Sequence, residues 1–188
     1  MGNAAVDVPM TAEQFLAWDG EQPERWEFVG GEVFAMTGAT VRHAAVTGNL
    51  YMALRQHLRG SPCRTIANEV KLRVQASDAY YYPDVMVTCS AADAQEPLIQ
   101  REPLLLIEVL SKSTASYDRG AKFAAYRSLP SLREYLLIDP ASRRCDLYRL
   151  GAEGFWVLRP FEAGQAVALE SVAMTLSAQA LWDEVPAV

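Results

Sequence analysis

Two short runs, 84–89 (Asp-Val-Met-Val-Thr-Cys) and 104–110 (Leu-Leu-Leu-Ile-Glu-Val-Leu), are apolar at nearly every position instead of at every second one. A half-buried strand alternates, so β-rich runs without alternation read as central strands covered on both faces. Covering a sheet on both faces takes helices, and the chain supplies them. Between positions 41 and 59, Val46, Leu50, Ala53, Leu54 and Leu58 recur at three- and four-residue steps, with Gly60 just beyond as a stop signal. Ala121, Phe123, Ala124 and Tyr126 repeat the helical spacing over 118–129, ahead of the breaker Pro130. The expected class is therefore α/β.

The ends of the chain read differently. Thr11 with Gln14 resembles a capping box and predicts a short helix over 12–18. Segments 25–29 and 32–36 flank Gly30-Gly31, which can take the positive φ angles of a tight turn, so an N-terminal hairpin is expected. From Thr65 the pattern alternates, with Val70, Leu72 and Val74 on one face and Glu69, Lys71 and Arg73 on the other, as in one half-buried strand. The polar, proline-bearing stretch 90–103 reads as a surface connection whose length permits variation or motion. After a further apolar strand at 135–138, segments 144–150 and 155–159 predict antiparallel C-terminal strands joined around Gly151 and Gly154.

With 188 residues, 51% of them hydrophobic, the chain can bury one substantial core. No repeat or linker divides it, so residues 1–10 are expected to be a disordered tail and 11–188 a single domain. No apolar run approaches the roughly 20 residues needed to span a bilayer, and no basic-then-apolar leader opens the chain. A cytoplasmic location without membrane association is the expectation. Cys63, Cys89 and Cys145 are odd in number and lack a Cys-x-x-Cys pair, which argues against a disulfide framework or a zinc site and for small buried hydrophobes. His43 and His57 each stand alone on a helix and are expected to be packed or solvated.

A net charge of -6 argues against indiscriminate tight binding to nucleic acid. The charge is nevertheless partitioned along the chain. Arg55, Arg59, Arg64, Lys71 and Arg73 share their stretch with Glu69 alone, and Lys112, Arg119, Lys122, Arg127 and Arg133 share theirs with Asp118 alone. A locally basic surface on an acidic protein is one reading; ordinary solvated faces are the other.

The chemical signal is the placement of acids in apolar strands. Asp84 opens one central run directly after Pro83, and Glu108 interrupts the other. A buried carboxylate requires a partner, a hydrogen bond or a cation. On neighbouring strands the two would converge on one oxygen-coordinated divalent ion. On the following helix, Asp118 and Lys122 sit four apart and share a face, so Lys122 could reach the carboxylates and either orient a water or stabilise phosphoryl charge. An exposed, functionally silent Asp118–Lys122 ion pair is the alternative.

The succession Tyr82-Pro83-Asp84-Val85, then Ile107-Glu108-Val109-Leu110-Ser111-Lys112-Ser113-Thr114, then Asp118 through Lys122 and Tyr126, then Glu134-Tyr135 through Ile138-Asp139-Pro140 resembles the Uma-two family of bacterial proteins described as putative restriction endonucleases. Trp26-Glu27 through Gly31-Glu32-Val33 and the helix containing His43 are similar to that family's N-terminal half. The resemblance covers roughly 11–150 and implies a restriction-endonuclease-like core of the PD-(D/E)xK type, a mixed β-sheet flanked by helices. It implies Mg²⁺ or Mn²⁺ held by Asp84, Glu108 and the Val109 carbonyl, and hydrolysis of DNA phosphodiesters. Leu110 stands where the general nuclease pattern has lysine. The family arrangement implies Lys122 as its replacement, with Lys112 in reserve and Glu32 as a further candidate acid. Because two sites cut a duplex naturally, a homodimer is expected.

Phosphate-loop, dinucleotide and nucleophile-elbow motifs are absent from the sequence. Two other readings compete with the nuclease. One is a nucleic-acid or protein-binding module on the same fold without turnover; the other is a carboxylate-pair enzyme acting on sugars.

Overall fold

The structure, a computed structural model, describes residues 9–36 and 38–186. The tail expected over 1–10 lies outside that range except for Pro9 and Met10, and the Met10 N–H is bonded to the Gly31 carbonyl at 3.1 Å.

Among the described residues the strands form three sheets. The central one has the order β11 (Trp156–Phe161), β10 (Arg144–Leu150), β9 (Glu134–Asp139), β8 (Pro103–Val109), β6 (Val85–Thr88), β3 (Arg64–Ala67). It is mixed: β8 and β9 run parallel, and the other neighbours are antiparallel. A parallel pair needs a crossover. Here it consists of α3 (Ala115–Tyr117), a π-helical turn (Asp118–Lys122) and α4 (Phe123–Tyr126).

The two faces of this sheet bury different partners, as its continuously apolar strands require. Val85, Val87, Leu105, Ile107 and Val109 face α2 (Val41–His57) through Val46, Leu50 and Leu54. Met86, Leu106, Tyr135 and Leu137 pack on the opposite side against Ala125, Tyr126 and Leu129. That second core also takes Leu72, Val74 and Tyr81 from a five-stranded sheet ordered β2 (Glu32–Ala35), β1 (Trp26–Val29), β5 (Ala79–Tyr81), β4 (Lys71–Val74), β7 (Ile99–Gln100). The opening helix α1 (Ala12–Asp19) carries the expected reciprocal cap between Thr11 and Gln14, and Phe15 stacks on Phe28 and Tyr80 of this sheet. The hairpin β1–β2 turns at Gly30 and Gly31, both at positive φ. The third sheet pairs β12 (Val167–Leu169) with β13 (Met174–Leu176), ahead of α5 (Ala178–Leu181).

Three expectations are corrected. The alternation from Thr65 onward is two strands in two different sheets, because the chain turns at Asn68-Glu69, where Asn68 N–H bonds to the Asp84 carbonyl. The stretch 90–103 is pinned: the buried Asp93 carboxylate accepts from Thr88 Oγ1 at 3.0 Å and from the N–H groups of Arg101 and Glu102, both at 2.9 Å. Cys63 and Cys89 form a disulfide, whereas Cys145 is free and buried. Antiparallel register pairs Arg64 with Thr88, so the next position outward brings the two cysteines face to face across 26 residues of sequence.

The turn from β9 to β10 gives a pH prediction. Burial works against the Asp139 charge, but hydrogen bonds from Ser142 Oγ and from the Ala141 and Ser142 N–H groups outweigh it and hold the carboxyl below its ordinary value. A depressed folded pKa contributes stability that is present above the unfolded value, near 3.8, and is lost as pH falls through the folded one. Melting curves of wild type and Asp139→Asn should differ at neutral pH and converge in acid; a gap independent of pH would assign the effect to shape instead of charge.

Candidate active site

The antiparallel register of β6 and β8 pairs Val85 with Ile107, so Asp84 and Glu108 come next, side by side at the end of this strand pair. The Asp84 N–H lies 3.4 Å from Glu108 Oε2, and Val109 N–H donates to Asp84 Oδ2 at 2.7 Å. Glu108 has the parity of Leu106, so it belongs to the face covered by the crossover helix.

That helix delivers Lys122. Its Nζ sits 2.9 Å from Glu108 Oε1, 3.2 Å from Glu27 Oε1 and 3.9 Å from Asp118 Oδ1. Lys122 is 6% exposed and Asp118 4%, so the expected exposed pair is instead buried. The π turn that carries both residues is a form common at functional sites, where the widened ladder re-aims side chains. Tyr126 OH donates to Glu108 Oε1 at 2.8 Å, and the Tyr81 and Tyr126 rings lie 5.5 and 5.9 Å from the ammonium. Tyr82 N–H donates to Glu27 Oε1 at 3.1 Å. From the other face of the sheet, the first turn of α2 brings His43 Nε2 to 3.2 Å from Asp84 Oδ2. The site thus lies where the helices of both faces meet the end of the strand pair.

Three carboxylates (Glu27, Glu108, Asp118) share one buried ammonium, and this imbalance sets the electrostatics. Burial pushes the Glu108 carboxyl well above its usual value, with Lys122 opposing and the neighbouring acids reinforcing. Burial raises Asp118 in the same way. For Lys122, burial disfavours the charge, but Glu108, Glu27 and Asp118 outweigh it and hold the pKa well above normal. Burial likewise disfavours a charged His43, yet the Asp84 hydrogen bond and charge, the Val109 carbonyl and Asp118 raise its pKa. Burial and the nearby Glu108 charge raise the Tyr126 phenol, which keeps it a neutral donor.

Asp84, Glu108, Val109 and Lys122 are therefore brought together. Lys112 is exposed on the turn after β8, and Glu32 is exposed at the start of β2. The N-terminal acid that reaches the lysine is Glu27, on the partner strand of Glu32's hairpin. His43, expected to be packed or solvated, faces Asp84. The basic stretches are partly consumed by pairing: Lys71 binds Asp19 at 2.6 Å, Arg73 binds Asp78 at 2.6 Å, and Arg119 binds Asp146 at 3.3 Å. Arg55, Arg59 and Arg127 remain exposed.

The donor chemistry suits a hard divalent cation. Glu108 is a buried carboxylate in acidic surroundings, and Asp84 and the Val109 backbone adjoin it. Among the described residues no three His, Cys, Asp or Glu side chains are grouped so that they could hold a metal ion. A carbonyl, water and substrate oxygens would have to complete the shell, as is usual for Mg²⁺. Also among the described residues, no helix is long and apolar enough to cross a membrane.

Acids on an antiparallel strand pair, with a parallel crossover that returns a lysine to them, define a nuclease-like α/β fold. The chain belongs to the Uma2 family, described as "Putative restriction endonuclease", which matches residues 12–180. It is 31% identical over 173 residues to an uncharacterised protein of Synechocystis sp., covering 92% of this chain and 91% of the relative. A second uncharacterised Synechocystis sp. protein is 33% identical over 156 residues, with 79% and 85% covered. The fold matches a crystal structure described as a putative nuclease belonging to DUF820 from Anabaena variabilis. The TM-score is 0.78 at 19% identity, over 95% of this chain and all of that one.

Proposed function

We propose that the protein is a divalent-metal-dependent endonuclease that hydrolyses DNA phosphodiester bonds, with Mg²⁺ or Mn²⁺ held by Asp84, Glu108 and the Val109 carbonyl. The observation that carries this reading is the convergence of Lys122, Glu108 and Asp84 from three separate elements at one end of the β6–β8 strand pair. Such a burial of charge is costly for a fold and is understandable as a site for a charged reaction.

When bound, the cation supplies Lewis acidity to a phosphoryl oxygen and lowers the pKa of water. The chain's own residues do the rest. Val109 N–H fixes the Asp84 carboxylate, and Tyr126 OH fixes Glu108, so both acids are oriented before substrate arrives. Glu27 and Glu108 hold Lys122 charged. An ammonium has three N–H donors, one more than these two close carboxylates take, so it can also orient an attacking water or stabilise charge on the phosphate. The exposed Arg55, Arg59 and Arg127 offer contacts to a phosphate backbone.

The test is cleavage of supercoiled and linear DNA with Mg²⁺ or Mn²⁺, and its loss on chelation. Nicking that survives excess chelator would refute metal dependence. Intact DNA at every metal concentration, with binding retained, would favour the module without turnover.

A further inference from the structure

Where α2 gives way to β3, Arg55, Arg59, Gly60, Ser61, Cys63 and Thr65 line a recess of about 240 Å³. At 1.5 Å per residue, Arg55 stands about 18 Å along the helix axis from His43, the end of α2 that meets Asp84, so the recess is separate from the cleavage site. Its chemistry is one-sided. α2 contains no Asp or Glu, and Arg55 and Arg59, both exposed, make no ion pair among the described residues. They stand four apart, where like charges repel. Across the recess Thr65 pairs with Val87, which faces α2, so the Thr65 side chain lies on the same side of the sheet. Thr65 is 5% exposed, and its Oγ1 has no hydrogen-bond partner among the described residues. Most buried hydroxyls have a partner, because leaving one unmade is costly. Ser61 beside it is satisfied: its Oγ donates to the Leu58 carbonyl at 2.8 Å and accepts from the Cys63 N–H at 3.2 Å.

Complementarity to the helix dipole accounts for arginines near the end of α2, but not for an orphaned hydroxyl on the neighbouring strand. A tetrahedral oxyanion accounts for both. Guanidinium groups give charge-assisted bonds to phosphate oxygens, and a hydroxyl gives a neutral one. The walls are fixed without a ligand, since Cys63 is bonded to Cys89 and Gly60 turns the chain at positive φ. We infer that this recess binds one phosphate group, with Arg55 and Arg59 as its charged donors and the Thr65 hydroxyl as its buried donor. A phosphate of a DNA strand and a free phosphate compound present the same chemistry to it. The inference is independent of the metal-dependent reading, because a chain that cuts nothing can still hold phosphate here.

The experiment is a titration of the ¹⁵N-labelled full chain with inorganic phosphate, against chloride of equal ionic strength and without divalent metal. The backbone amides of 58–65 in wild type should shift to saturation, while those around Asp84 and Lys122 stay. Arg55→Gln and Arg59→Gln should each weaken binding by about 10-fold, and Thr65→Val by about 3-fold or more. Thr65→Val should also raise the melting temperature of the phosphate-free chain, because it removes the unpaired hydroxyl, so its lost binding is not a loss of folding. Arg144→Gln removes the same charge from an exposed pair with Glu162 and should bind phosphate as wild type does. Fluorescence anisotropy of a labelled DNA duplex under chelator separates the two sources. Duplex affinity that falls in the same three variants and is competed by phosphate assigns the group to DNA; duplex affinity unchanged in all of them assigns it to a free phosphate compound. No saturable shift in wild type, or equal phosphate affinity in wild type and the three variants, overturns the inference and leaves the arginines as partners of the helix dipole alone.

Discussion

Lys122→Met should lower metal-dependent cleavage by about 100-fold or more, the scale for losing one well-placed electrostatic group, and should also destabilise the protein. Lys122 is buried and neutralises Glu108, Glu27 and Asp118 at once. Removing one partner of a buried pair costs about 3–5 kcal/mol because the other charge is left uncompensated. Here the acids can take up protons, so the deficit depends on pH. Glu108 is already raised by burial, with Lys122 opposing, and losing the ammonium raises it further. A raised carboxyl contributes stability that is present below its unfolded value, near 4.5, and is lost as pH rises through the folded one. The variant's deficit should therefore be smallest in acid and grow toward neutral pH, as read by urea titration. Glu108→Gln should behave differently, losing metal affinity with turnover while relieving the acidic crowding. A Lys122→Met protein as stable as wild type at pH 8 would show that the lysine is not the counter-charge of this cluster.

The difference between what the sequence disclosed and what it concealed lies in the range of the interactions. The apolar runs containing Asp84 and Glu108 disclosed central strands because continuous burial leaves a local record, whereas their adjacency came only with the β6–β8 register. The Thr11 cap, the Gly30-Gly31 turn and the helix ending near Gly60 are also local, and the structure has each of them. Glu27 and His43 were not legible, because each acts across the fold: Glu27 reaches Lys122 over 95 positions, and His43 crosses from the opposite face of the sheet. Family resemblance pointed to Lys122 but not to its burial, since an isolated lysine on a helix reads as solvated. The break between β3 and β4 was hidden because alternation continues through it by parity alone. The Cys63–Cys89 bridge was concealed for a different reason: an odd count of cysteines without a spacing motif argues against a framework and so hides a single pair. The pairing follows only from the β3–β6 register.

Glu134→Ala is expected to cost about 3 kcal/mol or more while sparing the site. Glu134 begins β9 and is 0% exposed. Its Oε1 accepts from Arg149 Nε at 2.7 Å and from Glu170 N–H at 3.1 Å. Its Oε2 accepts from the Ser171 N–H at 2.9 Å and from the Ser171 hydroxyl at 2.5 Å. One carboxylate therefore ties β9 to β10 and to the turn after β12, and alanine would orphan two backbone N–H groups together with the inner side of Arg149. Arg149 also binds Glu170 and the Ala168 carbonyl, which limits the loss to the lower part of the range for a broken buried pair. The strand register places Glu134 beside Leu105 and Ile138 beside Val109, so the clamp lies four residues, or about 13 Å, along the sheet from the metal-binding end. Metal affinity per folded molecule should accordingly be unchanged. Glu134→Gln, which keeps one carbonyl acceptor, should recover part of the stability. Denaturant titration of the three proteins reads the order wild type, Gln, Ala. An Ala variant within about 1 kcal/mol of wild type would mean that the turn is held by its apolar contacts at Leu169 and Val172 and not by the carboxylate.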